Sequence, residues 1–267
     1  MNVGSNVVKI TAKTALRDNK LKVIFASLAL VLSCMTVNVL ASVLSVVFNN
    51  AVAMAINILL FLLLVFPLSV GLLRFLWRLL FDAEDSPITV FYYFSNKHLY
   101  LKVIRFLLLV FVKSLPVIII LYLPGLFVWI FSKGFIFEIV NVSIPLWSTN
   151  LGFAIGLLRV LATVVLTLYL LKFYLAPMLI VADEDMDIAE ALNMSAIISK
   201  KTTLDFISLF FSLSGWIVLS VIFVPIPYTL PFILVCYAIH SRFAVAEYNM
   251  HIKKKSENSF PTFESGI

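Results

Sequence analysis

Six long apolar runs decide what this chain can become, and most of its positive charge sits beside one set of their ends. The runs lie at 23–48, 54–80, 99–131, 152–181, 204–224 and 228–248. A helix needs roughly 20 apolar residues to cross a hydrocarbon core about 30 Å thick, and each run supplies them. None alternates apolar with polar residues as an outer-membrane strand does. A backbone in lipid must also bond within its own segment, which leaves helices. Hydrophobic residues make up 62% of the chain and charged residues 13%, too lopsided to clothe a water-exposed surface. The expected fold class is all-α: a polytopic membrane protein with six transmembrane helices.

Charge then orients the spans. The chain has 20 Lys and Arg residues. Lys9, Lys13, Arg17, Lys20 and Lys22 precede the first run, while Arg74, Arg78, Lys97, Lys102 and Arg105 flank the second connection. Lys172, Lys200 and Lys201 flank the fourth, and Arg242, Lys253, Lys254 and Lys255 lie near the C-terminus. The first connection, near 49–53, and the fifth, at 225–227, have none. Basic loops stay in the cytoplasm, so both termini and the second and fourth connections are expected inside. On this reading 1–22 is a cytoplasmic amphipathic helix, 23–248 the transmembrane domain and 249–267 a basic, polar cytoplasmic tail. The net charge of +6 then faces the anionic lipids of the inner leaflet and points to no nucleic-acid site.

Three cytoplasmic segments, at 9–20, 86–96 and 187–200, each lead into a pair of runs and read as helices along the inner leaflet. In the first, Lys9, Lys13, Arg17 and Lys20 share a side, with Val8, Ala12, Ala15 and Leu16 beside them. In the second, Ser86 followed by Pro87 is a hydroxyl cap with a ring at the first helical position. In the third, Asp187 with Glu190 three residues on resembles a capping box. The runs that follow open on similar strings: Leu21-Lys22-Val23-Ile24, Leu101-Lys102-Val103-Ile104 and Leu204-Asp205-Phe206-Ile207. Three units of helix, span, span are one explanation; the other is that any amphipathic helix before a span looks this way. Tyr92, Tyr93, Tyr100, Trp129, Trp147 and Tyr248 fall near run ends, as belt aromatics or as ordinary packing residues. Cys34 and Cys236 are mid-run and read as free thiols.

Residues 174–248 resemble a family of bacterial integral membrane proteins, domain of unknown function family 975. The likeness is carried by Leu175-Ala176-Pro177, Val181-Ala182-Asp183, Glu190-Ala191-Leu192 with Ser195, and Asp205-Phe206. It continues through Leu213-Ser214-Gly215-Trp216 and Leu219-Ser220 to Pro231 and Tyr237, and Ala15-Leu16-Arg17-Asp18-Asn19 is similar to the family's N-terminus. The resemblance implies a multi-pass protein of the bacterial plasma membrane. It implies no reaction, cofactor or catalytic residue.

Few polar residues stand where lipid should exclude them. Lys113 is well inside the third run, one turn before Pro116; at that depth a charge costs roughly a few kcal/mol unless paired or hydrated. It is either a ligand or ion contact in a polar cavity, or a structural cation that bonds backbone near Pro116 or snorkels. Arg159 follows Gly152 and Gly156, whose spacing admits a close neighbouring helix; it either snorkels outward, meets Glu138 or contacts an anion. Asp183, Glu184, Asp185 and Asp187 read as a divalent-metal site or as a solvated turn ending in a helix cap. Carboxylates alone seldom complete a Mg²⁺ octahedron. Ser208, Ser212 and Gly215 form a small-residue face suited to a close helix contact. Pro225, Pro227 and Pro231 read as a tight outer turn into the last run. His98, His240 and His251 are far apart, and no zinc-protease, nucleophile-elbow, P-loop or paired-cysteine motif occurs.

No catalytic, cofactor-binding or metal-binding residue is therefore expected. The expectation is a non-catalytic bacterial membrane protein acting through partners, as an accessory or scaffold subunit of an envelope or transport system. Its surroundings are anionic lipid and other membrane proteins. The alternative is a small transporter or channel-like carrier using Lys113 and Arg159, which requires that they face a common cavity. A membrane enzyme acting on lipid would need metal at the acidic turn. The candidate functional residues are thus Lys113, Arg159, Asp183, Asp187 and Glu190.

Overall fold

The structure, a computed structural model, describes residues 5–17, 19–80, 86–132, 148–221 and 226–259, and every element among them is helical. Lys133, Glu138, Trp147, Pro225 and the last residues of the tail lie outside them. In chain order the helices are α1 (Ser5–Arg17), α2 (Lys20–Val47), α3 (Asn50–Leu60), α4 (Phe66–Leu79), α5 (Tyr92–Ser95), α6 (Lys97–Ser132) and α7 (Ser148–Leu170). Then come α8 (Ala176–Ala182), α9 (Ile188–Ser212), α10 (Ser214–Val221) and α11 (Ile226–Ser259). A π-helical turn, Phe61–Val65, joins α3 to α4, and 3₁₀ turns occupy Pro87–Phe91 and Leu171–Phe173. Among the described residues, five stretches are long and apolar enough to cross a membrane: Lys20–Val46, Ala51–Leu79, Lys97–Gly125, Gly156–Ala182 and Ile226–Met250.

The expected fifth span departs from its prediction. No break separates an interfacial helix ending at Lys200 from a span starting at Leu204. Instead α9 runs unbroken from Ile188 to Ser212, then interrupts at Leu213 before the eight residues of α10. Lys200, Lys201 and Asp205 keep the middle of α9 charged, so neither piece alone is an apolar span. The three segments at 9–20, 86–96 and 187–200 are helical, as expected, but their amphipathic faces meet protein. Val8, Ala12 and Leu16 of α1 are buried, and Lys9 reaches the Ser212 carbonyl at 2.7 Å instead of standing with Lys13 in solvent.

The chain divides into two compact units, one built from residues 1–105 and 175–267 and the other Phe106–Tyr174. In the first, α2 and the α3–α4 helix form an antiparallel hairpin whose register is readable from shared clefts. Ser45 lines one with Met54, and Leu32 lines another with Leu68. Its core joins Val23, Ala26 and Leu30 of α2 to Leu72, Phe75 and Leu76 of α4, with α1 and the Phe232, Val235 and Ile239 face of α11 packed on. At Gly71 the 3₁₀ turn presses onto α4: a Cβ there would sit 2.0 Å from the Val90 carbonyl oxygen. Only a residue without a side chain permits that approach.

Helix interruptions in this unit are closed by side chains from elsewhere. Pro67 brings no N–H to the turn before it; the helix widens there, and the Leu63 carbonyl accepts the Tyr100 hydroxyl at 3.1 Å. Pro231 likewise cannot donate to the Pro227 carbonyl, which accepts the Ser27 hydroxyl at 2.6 Å. At Leu213 the amide of Trp216 turns to the Leu213 carbonyl, and the Ser212 carbonyl so released is the one that Lys9 takes. A cation at a helix C-terminus is also favoured by the helix dipole.

The Ser27 bond constrains α11. Its first turn lies beside the N-terminal third of α2, whereas the outer turn expected at 225–227 belongs at the far end of the hairpin, near Asn49. Arg242 and Asn249, farther along α11, line a groove with Trp77 and Ala182, and the hairpin register puts Trp77 opposite residue 23. Some 18 residues of helix, about 27 Å, thus advance only about one turn along the hairpin. α11 runs obliquely across it.

In the second unit, α6 and α7 pair antiparallel. The Tyr122 and Thr163 hydroxyls meet at 3.0 Å, Gly125 faces a Leu158 methyl at 3.6 Å, and the Tyr169 hydroxyl donates to the Lys113 carbonyl at 3.0 Å.

Candidate functional site

The acidic turn after α8 contains one carboxylate unlike its neighbours. Asp183, Asp185, Asp187 and Glu190 are exposed, while Glu184 is turned inward. Arg74, two turns inside the C-terminal end of α4, is 92% buried as a side chain, against 34% exposure for Glu184; its Nη2 is 2.7 Å from Glu184 Oε1, and its Nε donates to the same oxygen at 2.8 Å. The Tyr92 hydroxyl donates to Oε2 at 2.9 Å, and Lys102 Nζ donates to the Glu184 backbone carbonyl. The Arg74 guanidinium also stacks 3.5 Å from the Tyr92 ring centroid. One residue, through its carboxylate and its backbone carbonyl, thereby ties α4, the α5 segment, the start of α6 and the turn before α9.

The electrostatics follow from burial. Burial, then the bond to Glu184, pushes the Tyr92 phenol above its ordinary value, with Arg74 opposing. Burial raises Tyr93 too, again against the pull of Arg74; both tyrosines stay neutral at physiological pH. Two atoms here are buried without a hydrogen-bond partner: Arg74 Nη1 and the Tyr93 hydroxyl. Such groups lose water and gain nothing, at about 1–3 kcal/mol each.

Of the residues singled out from sequence, Asp187 caps α9 by accepting the Ala189 amide at 3.2 Å, with Glu190 in the first turn. Asp183 Oδ1 accepts the Asp185 amide at 3.0 Å. These are the contacts of a solvated turn and cap. Among the described residues no group of three or more His, Cys, Asp or Glu stands close enough to hold a metal ion. Lys113 is half-buried, its ammonium 5.9 Å from the Phe173 ring centroid. Arg159 is exposed; its expected partner Glu138 lies outside the described residues. The α6–α7 register sets Lys113 opposite residue 170, eleven residues from Arg159, or about 16 Å along α7. The two cations are not brought together.

The small-residue contacts also fall elsewhere than expected. Nothing lies within 4 Å of a Cβ built on Gly156 or Gly215, and Gly71 is the close approach. Sequence reasoning passed over Arg74, Glu184, Tyr92, Tyr93 and Lys102 as a set. The available signal was Arg74 itself, a cation placed two turns inside an apolar run.

No protein-family model, curated protein or solved structure matches this chain.

Proposed function

We propose that this is a non-catalytic integral protein of the bacterial plasma membrane that works through partner proteins; the resemblance to domain of unknown function family 975 bears on the membrane location alone. The observation that carries the reading is Glu184. The acid of the turn that reaches inward is engaged by Arg74, Tyr92 and Lys102, so the most buried charge in the first unit is spent on holding helices together. Extended apolar faces on α2, α3, α6 and α7, including Val46, Leu59, Ile120 and Val160, supply surface for lipid and for neighbouring helices. Purification from native membranes, with mass spectrometry of what is retained, should yield a reproducible membrane-protein partner. Ion or solute flux in proteoliposomes that disappears in Lys113→Met would overturn this reading and put transport first.

Both termini belong in the cytoplasm on this proposal. Basic residues gather near the start of α2, the end of α4 and along α11, and the groove shared by Trp77 and Arg242 brings the last two of these together. Five crossings are incompatible with two termini on one side, so the number is even. Six requires 202–221 to cross despite the interruption at Leu213, and twenty residues of helix are long enough. The helix–span–span repeat belongs to that count, supported by the breaks at Asn19 and Asn96. The Ser27–Pro227 bond favours four crossings, with α9–α11 folded into the inner-leaflet side.

A further inference from the structure

Between α8, the end of α4 and the middle of α11 lies a groove of about 240 Å³. Its floor is apolar, made by Met178, Leu179, Val245 and Ala246, and Trp77 stands at its side. Arg242 is the one charged residue that lines it, and no carboxylate does; Asn249 adds an amide two turns farther along α11. The volume is below the roughly 300–1,000 Å³ of pockets that enclose a small molecule. It therefore suits part of a chain-like occupant that extends beyond it. An apolar trough with a cation at its rim, beside an indole of the kind that sits at headgroup depth, is complementary to one ligand chemistry: an acyl chain joined to an anionic phosphate.

We propose that this groove binds one anionic phospholipid, its acyl chain against Met178, Leu179, Val245 and Ala246 and its phosphate at Arg242. The proposal rests on the membrane reading above, and its natural source of lipid is the inner leaflet. Arg242 and Ala246 are exposed, so both can be changed without disturbing the core.

Native mass spectrometry of the detergent-purified full chain, titrated with phosphatidylglycerol or phosphatidylcholine, tests it without reference to orientation or to any protein partner. The wild type should retain one phosphatidylglycerol in preference to phosphatidylcholine. Arg242→Gln should weaken phosphatidylglycerol about five-fold, the equivalent of one basic residue beside an anionic surface, and phosphatidylcholine by less, because its choline cation already offsets its phosphate. Arg242→Lys should restore most of the preference. Ala246→Trp, which fills the trough, should remove the retained lipid. Equal retention of the two lipids by the wild type overturns the proposal, as does unchanged binding in Ala246→Trp. A wild-type dimer that becomes a monomer in Ala246→Trp also overturns it, since the groove would then be filled by a second copy.

Discussion

Gly71 has no room for a methyl group, because the Val90 carbonyl would lie 2.0 Å from it. Backbone cannot swing aside as a flexible side chain can, so Gly71→Ala should destabilise at the upper end of overpacking, about 3 kcal/mol. Gly156→Ala and Gly215→Ala meet open space and should melt within about 0.5 kcal/mol of the wild type. Thermal unfolding in detergent reads all three, and equal melting temperatures would remove the close approach from the account. The Arg74 cluster supplies a second contrast at this scale. Tyr93→Phe deletes a buried hydroxyl that has no partner, so stability should hold or rise by up to about 1 kcal/mol. Arg74→Met leaves Glu184 uncompensated and should cost about 2 kcal/mol, less than a fully buried pair because Glu184 is 34% exposed. A large loss from Tyr93→Phe would mean that its hydroxyl is bonded after all.

At the scale of elements, Pro67, Pro231 and the break at Leu213 share one logic. Each leaves a carbonyl that lipid cannot solvate, and each such carbonyl draws a donor from another helix: Tyr100, Ser27 or Lys9. Ser27→Ala should then cost about 1 kcal/mol in the wild type. In a Pro231→Ala background the restored amide can serve the Pro227 carbonyl, and the cost of Ser27→Ala should fall toward zero. A double-mutant cycle of melting free energies measures that coupling; an identical cost in both backgrounds counts against it. The same cases show what sequence could and could not reveal. Helix positions followed from apolar length, and the caps at Ser86 and Asp187 were legible because donor and acceptor lie two residues apart. The partners of the freed carbonyls were not, because Ser27 and Pro227 are 200 residues apart and nothing in local pattern joins them. Glu184 was hidden for the same reason: in sequence it is one of several acids, and only the fold brings Arg74 to it across 110 residues.

For the molecule as a whole the open quantity is the number of crossings, and α11 decides it. Its composition qualifies it as a span, yet length and apolarity describe any helix that lipid or protein can bury. The Ser27 bond holds its first turn near the N-terminal end of α2, and the groove with Trp77 keeps its later turns near that end too. Impermeant thiol labelling of intact cells separates the alternatives, in a chain whose two native cysteines are replaced by alanine. A cysteine at Ser148 should react, because the loop between the third and fourth runs carries the external face in both arrangements. One at Ser259 should be protected, since the basic tail stays inside. The deciding position is Tyr228, which is 39% exposed and one residue past Pro227. In the six-span arrangement it borders the external turn and should label as readily as Ser148. With α9–α11 folded on the inner-leaflet side it should react only after the membrane is permeabilised. The expected result is protection at Tyr228 with labelling at Ser148. Labelling at both positions in intact cells would restore six spans and require α11 to pivot away from Ser27, in which case Ser27→Ala should have no effect on stability.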